Sequence, residues 1–121
     1  MSRRYTVDEA NALLPELRER LERVRDSRQA LIRASTRISA AVASDGGGVE
    51  GRDWFEAQQT LRAEVEWLAE HDVLLRDPET GLIDFPAERG GDEIYLCWRL
   101  GEDRVGWWHD TTTGFIGRKP L

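Results

Sequence analysis

The sequence predicts an α+β fold: a long antiparallel two-helix hairpin, similar to a coiled coil, followed by a small antiparallel β-meander. Three observations lead to this prediction. A hydrophobic seam with alternating four- and three-residue spacing runs through residues 6–43, a glycine-rich segment follows at 44–52, and strand-like patterns occupy 73–110. With 121 residues, 40% of them apolar, residues 1–121 have the size of a single domain.

The first helix, residues 6–43, has a well-defined start. Thr6 suits the N-cap position, and Glu9 three residues later completes a capping box. Pro15 removes one backbone hydrogen bond inside the helix, so we expect a kink near it. The seam continues in register beyond this proline, which favours one bent helix over two. The seam positions are Ala10, Leu14, Leu17, Leu21, Val24, Arg28, Leu31, Ser35, Ile38 and Val42.

The second helix is predicted at residues 53–71, with Asp53 as its N-cap. The glycines at 46–48 within the loop 44–52 accept the positive φ angles that a chain reversal needs. Because a helix rises about 1.5 Å per residue, the second helix can cover only the distal half of the first. Its predicted apolar face contains Trp54, Leu61, Val65 and Leu68, flanked by Phe55, Ala57 and Trp67.

The meander begins with two predicted hairpins. The first joins residues 73–76 to residues 82–88 through a Pro-Glu-Thr-Gly turn at 78–81. The second turns at the consecutive glycines 90–91, which suit a two-residue hairpin loop. The tail, residues 111–121, follows the last strand.

The register of the second hairpin separates an apolar face from a polar face. It places Ile83 opposite Trp98 and makes one face wholly apolar. We expect that face to pack on the N-terminal half of the first helix, which the second helix leaves uncovered. The polar face carries Asp84 across from Cys97.

The register of the last strand, residues 105–110, has two alternatives. An even-length loop at 101–104 places Trp108 opposite Cys97 and turns His109 into the core. A three-residue loop places His109 opposite Cys97 instead. A buried histidine needs a partner for each ring nitrogen, whereas tryptophan suits the core better. We therefore favour the three-residue loop and predict that the side chains of Cys97 and His109 are neighbours.

Five segments carry motifs in a fixed order along the chain. They are Tyr-Thr-Val-Asp-Glu-Ala-Asn-Ala-Leu-Leu-Pro-Glu-Leu-Arg at 5–18, Thr-Gly-Leu-Ile-Asp-Phe-Pro-Ala-Glu at 80–88, Tyr-Leu-Cys-Trp-Arg-Leu-Gly-Glu at 95–102, Trp-His-Asp at 108–110 and Gly-Phe-Ile-Gly-Arg-Lys-Pro-Leu at 114–121. Together they resemble the bacterial family known as domain of unknown function 2203. The resemblance implies no established activity and no catalytic residues. It implies a family pattern that holds the Asp-Phe-Pro, Cys-Trp, Trp-His and Gly-Arg motifs and varies in the helical middle.

Candidate ligand or metal residues share the polar face of the predicted sheet. They are Asp84, Tyr95, Cys97, Arg99 and His109, with Glu88, Glu102 and Asp110 as further carboxylates. Thiol, imidazole and carboxylate groups are zinc ligands, but these residues lack the short spacings that make a zinc signature specific. We therefore predict no cofactor, with a divalent metal such as zinc as the alternative. A nucleophilic Cys97 needs a neighbouring base, and only His109 is a candidate because His71 suits the end of the second helix. No catalytic residue is assigned.

Two function hypotheses follow. The leading one is a non-enzymatic protein-interaction module built on the hairpin, which self-associates as a homodimer because Phe55 and Trp67 widen the apolar stripe. The rival is a metal- or small-ligand-binding site, with catalysis as one version, on the polar face. A net charge of −6 argues against nucleic-acid binding. The sequence has no apolar run of membrane-spanning length, and its lone Cys97 excludes an intrachain disulfide, so we expect a soluble cytoplasmic protein.

Overall fold

In the computed structural model the chain forms two helices followed by an antiparallel sheet of five strands, which lie in chain order. The structure describes residues 3–44 and 49–121, with side chains described for 3–36 and 53–121. The elements are α1 (Val7–Ser44), α2 (Val49–Glu70), β1 (Leu74–Asp77), β2 (Leu82–Arg89), β3 (Asp92–Arg99), β4 (Trp107–Asp110), a 3₁₀ turn (Phe115–Gly117) and β5 (Lys119–Pro120). The predicted α+β class is confirmed. Within the described residues, neither helix carries an apolar stretch long enough to cross a bilayer.

The start of α1 is the predicted capping box. The backbone N–H of Thr6 donates to Glu9 Oε1 at 2.9 Å, and the backbone N–H of Glu9 donates to Thr6 Oγ1 at 3.1 Å. These hydrogen bonds lower the pKa of Glu9 because they favour its charged form. Pro15 lies inside one continuous helix, as expected, and a kink beside it stays a prediction.

The buried stripe of α1 follows the predicted seam only in its first half. Ala10, Leu14, Leu17, Leu21 and Val24 are all buried. Further along, Ser27 and Ala34 are buried in place of the neighbouring Arg28 and Ser35, and Ser35 is exposed.

The one-residue shift keeps the charged Arg28 out of the fully buried stripe, where an unpaired guanidinium would be costly. The seam positions Ile38 and Val42 lie outside the residues whose side chains are described.

The second helix, α2, begins four residues before the prediction. It starts at Val49, so Asp53 lies inside the helix and is not its N-cap, and the predicted loop is wrong at 49–52. Residues 45–48 of that loop lie outside the described part of the chain.

The buried face of α2 also differs from the prediction. Val65 is 42% exposed, while the adjacent Glu64 is buried. Glu64 accepts hydrogen bonds from Arg20 and Arg23 of α1, each at 2.9 Å, so a paired carboxylate replaces the expected apolar contact. Leu68 joins the main core as predicted.

The hairpin of β2 and β3 has the predicted register. Ile83 pairs with Trp98, and Asp84 pairs with Cys97. The loop glycines Gly90 and Gly91 have φ angles of 59° and 86°, the left-handed conformation that this short loop requires.

The apolar face of the sheet packs on the N-terminal half of α1, as predicted. One buried cluster joins α1, α2 and the sheet; its members include Leu14, Leu17, Leu21, Leu68, Ile83, Phe85, Leu96 and Trp98. Two polar contacts hold the same helix half against the loop that precedes β4. Asn11 Oδ1 accepts from the backbone N–H of Val105 at 2.8 Å, and Arg18 donates to the Asp103 carbonyl at 2.7 Å.

Candidate functional site

The register of β4 on β3 matches neither predicted alternative. Tyr95 pairs with His109, and Cys97 pairs with Trp107. The favoured pairing of Cys97 with His109 is therefore wrong, and so is the pairing of Cys97 with Trp108.

A contact with α1 accompanies this register. Asn11 accepts a hydrogen bond from the backbone of Val105, whose side chain is buried in the core, and β4 begins two residues later at Trp107. The shift from the favoured register is two residues, which preserves the face of each side chain. His109 remains on the polar face, diagonally beside Cys97.

Three side chains from three adjacent strands converge on the polar face. They are Asp84 of β2, Cys97 of β3 and His109 of β4, and we call them the Asp–Cys–His cluster. One carboxylate oxygen, the thiol sulfur and one imidazole nitrogen all lie within 4.8 Å of one another. The three residues are 2%, 1% and 2% exposed, so the cluster is screened from solvent. All three residues were predicted from the sequence as candidate ligands. The β3–β4 register that brings them together differs from the predicted one.

The ring of His109 faces an acceptor at each nitrogen. Nδ1 lies 2.7 Å from the Asp110 carbonyl oxygen, so Nδ1 carries a proton and donates it. Nε2 lies 3.0 Å from both oxygens of Asp84. A carboxylate oxygen also accepts, so the geometry requires either a shared proton or a cation between Nε2 and Asp84.

Arg76 supports the carboxylate of the cluster. Its Nε donates to Asp84 Oδ2 at 2.8 Å, and this hydrogen bond raises the pKa of Arg76. The β1–β2 pairing skips from Leu75 to Asp77, so Arg76 is the extra residue of a β-bulge. Leu74, two residues earlier, pairs with Asp84, so Arg76 lies on the same face of the sheet as that carboxylate. The sequence prediction did not include Arg76 because it gave no register for the pairing of β1 with β2.

The tail supplies a second guanidinium that the sequence analysis also missed. Arg118 Nη1 lies 4.0 Å from Cys97 Sγ, and the two terminal nitrogens of Arg118 donate to Glu102 at 3.1 and 2.8 Å. The adjacent Lys119 and Pro120 form β5 on the edge of β4. A two-residue strand that contains proline carries no alternation pattern, so the tail was not predicted to join the sheet.

The thiol of Cys97 is not an activated nucleophile in this environment. Burial raises its pKa to about 11, with a further contribution from the negative charge of Asp84, and Arg118 only partly opposes these effects. At neutral pH the free thiol is therefore protonated. A nucleophilic cysteine needs a lowered thiol pKa, which Cys97 does not have. A metal ligand does not need one, because the coordinated metal ion itself displaces the thiol proton.

A comparison with known protein families identifies the family to which this chain belongs. A family model described as "Uncharacterized conserved protein (DUF2203)" matches residues 3–121. The chain belongs to this family. No curated protein and no solved structure matches it.

The other candidates in this DUF2203 chain lie at the margin of the cluster. The ring of Tyr95 lies 5.5 Å from that of His109. The guanidinium of Arg99 lies 5.1 Å from the ring of Phe115 in the tail. His71, the second histidine, stacks on Trp67 at 3.8 Å, and its Nδ1 lies 2.8 Å from the Trp67 carbonyl oxygen. It lies directly after the last residue of α2, as expected.

Proposed function

We propose that this protein binds a divalent transition-metal ion, with zinc preferred, through Asp84, Cys97 and His109. The observation that supports this proposal is the position of His109 Nε2, 3.0 Å from both oxygens of a buried carboxylate and beside a buried thiol. Carboxylate oxygen, thiolate sulfur and imidazole nitrogen together suit Zn²⁺ better than the hard ions Mg²⁺ and Ca²⁺, which prefer oxygen ligands alone.

The surrounding contacts support metal binding. The proton on His109 Nδ1 is held by the Asp110 carbonyl, which leaves Nε2 as the coordinating atom. Arg76 orients the carboxylate of Asp84 in the same way that outer hydrogen bonds orient metal ligands. Three protein ligands leave a fourth position of a tetrahedral ion for water or another small ligand.

Charge balance also permits the ion. Without metal, His109 Nε2 and Asp84 share one proton, and Cys97 keeps its own. Zn²⁺ replaces both protons, so the net charge of the cluster does not change. Glu102 already balances Arg118. The competing explanation is a purely structural hydrogen-bonded pair of His109 and Asp84, which needs no metal.

Metal analysis distinguishes these explanations. Protein purified without a histidine tag is expected to contain about one zinc per chain, or to bind one when zinc is added. The variants His109→Gln and Cys97→Ser are expected to lose this metal. His71→Gln is the matched control, because His71 is the second of the two histidines and lies at the end of α2.

Cobalt substitution adds a spectroscopic test. A thiolate–cobalt charge-transfer band is expected in the wild-type protein and its loss is expected in Cys97→Ser. A wild-type chain that binds neither zinc nor cobalt contradicts the proposal and leaves the structural hydrogen-bonded pair as the role of the cluster.

Self-association of the helical hairpin is the second candidate function. Ile32 of α1 and Phe55 of α2 are 52% and 55% exposed, and Val65 of α2 is exposed as well. Trp67 is not free for such contacts, because Arg20 lies 4.1 Å from the centre of its ring and His71 stacks on it. The prediction that Trp67 widens a free apolar stripe is therefore wrong, whereas Phe55 is exposed as that prediction requires.

The expected oligomer is a homodimer. Light scattering coupled to size exclusion at micromolar concentration should give the mass of two 13.9 kDa chains. The double variant Ile32→Glu/Phe55→Glu should give the mass of one chain, because charges at these positions oppose burial in an interface. Val7→Glu, at an exposed valine near the other end of α1, is the control and should remain dimeric. A wild-type mass of one chain contradicts the prediction.

A further inference from the structure

The tail that follows β4 covers the polar face without a buried anchor of its own. Every residue of 111–121 is exposed or only partly buried, and Ile116 is completely exposed. Its strand contacts are short: β5 pairs with β4 at two positions, and the backbone N–H of Leu121 donates to the Gly106 carbonyl at 2.9 Å.

One side chain, Arg118, makes most of the tail's specific contacts. Its guanidinium lies 4.6 Å from the ring of Trp107 and 4.3 Å from the ring of Phe115. It also makes the two hydrogen bonds to Glu102, which follows β3 and is not part of the tail. This bidentate pair is the strongest type of contact between the tail and the rest of the molecule.

The residue beneath Arg118 is far better protected than the tail above it. Cys97 is 1% exposed, and Arg118 Nη1 lies 4.0 Å from its sulfur. Segments with few buried apolar contacts open at a much lower free energy than the global unfolding of the core. The tail that lies over Cys97 can therefore detach while strands β1–β4 and the helices stay folded.

The segment also has a defined point about which to move. Asp110 Oδ1 accepts hydrogen bonds from the backbone N–H groups of Thr112 and Thr113, which holds the start of the tail on β4. The next residue, Gly114, borders open space, because a Cβ atom added to it would touch no other atom. Residues 114–121 can therefore swing away from the sheet while 110–113 stay in place.

We propose that residues 114–121 form a lid over the Asp–Cys–His cluster, latched by the ion pair of Arg118 with Glu102, and that metal enters and leaves when this lid opens. The metal part of this inference rests on the proposed function. The lid itself does not, because its opening exposes Cys97 whether or not a metal binds.

Cys97 is the single cysteine of the chain and therefore reports lid opening directly. The full-length protein, treated with a chelator, is allowed to react with a disulfide reagent such as dithionitrobenzoate. Glu102→Gln removes the charge of the latch but keeps the oxygen that accepts from the Arg99 backbone. We expect this variant to react about tenfold faster than the wild type, because a bidentate charged pair is lost.

Two further variants make the test specific. Arg118→Lys keeps the positive charge but loses the planar fork, so it should also accelerate the reaction. Glu88→Gln is the matched control: it breaks the exposed pair with Arg4 at the other end of β2 and should leave the rate unchanged. Unchanged rates in both latch variants would overturn the lid.

The dependence of the reaction on low urea concentrations separates lid opening from global unfolding. Opening of the short tail exposes little surface, so the modification rate should rise only slightly below the unfolding transition. A rate that rises with the full slope of global unfolding would show that Cys97 reacts only from the unfolded chain, and would overturn the proposal.

Metal release tests the second half of the proposal. With zinc-loaded protein and a colorimetric chelator in excess, Glu102→Gln should release zinc about tenfold faster than the wild type, in parallel with its thiol reactivity. Faster thiol reaction without faster release would overturn the lid as a metal gate. A chain whose thiol is gated but which binds no zinc retains the lid and contradicts the proposed metal function, so the two failures are distinguishable.

Discussion

Phe85→Ala is expected to lower the free energy of unfolding by about 2–5 kcal/mol. Phe85 is completely buried on the apolar face of the sheet, where its ring meets the edge of Tyr5 at a centroid distance of 5.0 Å. Leu17→Ala, on the facing side of α1, is expected to cost a similar amount because it leaves a cavity in the same cluster.

Urea denaturation of both variants, in the presence of a chelator, measures these losses. The control is Ile116→Ala, which truncates a completely exposed side chain and should change stability by less than about 0.5 kcal/mol. A loss below about 1 kcal/mol for Phe85→Ala would contradict the packing of this sheet face on α1.

Asp84→Ala is expected to destabilise the metal-free protein by about 3–5 kcal/mol. Asp84 is buried and lies within hydrogen-bond distance of His109 Nε2 and Arg76 Nε. Its removal leaves the buried His109 ring without its partner, whereas the partly exposed Arg76 can turn to water. Removal of one partner from a buried pair costs much more than the pair contributes, because the desolvation of the remaining charge is no longer offset.

The same denaturation experiment tests this prediction. Asp92→Ala is the control: Asp92 is exposed at the start of β3, and its replacement should have an effect within about 0.5 kcal/mol. Equal stabilities of the Asp84→Ala and Asp92→Ala proteins would show that the cluster does not form the buried hydrogen-bond network described above.

The hairpin of β2 and β3 shows how far local sequence can determine structure. Two consecutive glycines specify a two-residue loop, and the alternation of apolar and polar residues on either side permits only one register that keeps both faces consistent. The capping box of α1 is local in the same sense, because Thr6 and Glu9 satisfy each other within one turn. Such features need no information from distant parts of the chain.

The helix pair shows where local patterns become insufficient. Heptad spacing correctly predicted the buried residues in the half of α1 that packs on the sheet. It predicted the wrong positions in the half that packs on α2. There Ser27 and Ala34 are buried, and the predicted seam positions Arg28 and Ser35 are not. The start of α2 at Val49 likewise lies four residues before Asp53, the N-cap that local sequence predicted.

For the candidate site, the sequence by itself determined which side chains share the polar face of the sheet, because alternation along a strand survives any register shift of two residues. Only the tertiary structure decided which of them meet. Asn11 of α1 holds the loop before β4, the pairing of β1 with β2 brings Arg76 to Asp84, and the tail carries Arg118 to Cys97. In each of these contacts the two residues belong to different elements of the fold. Packing of those elements brings the residues together, so a local sequence pattern cannot predict the contact.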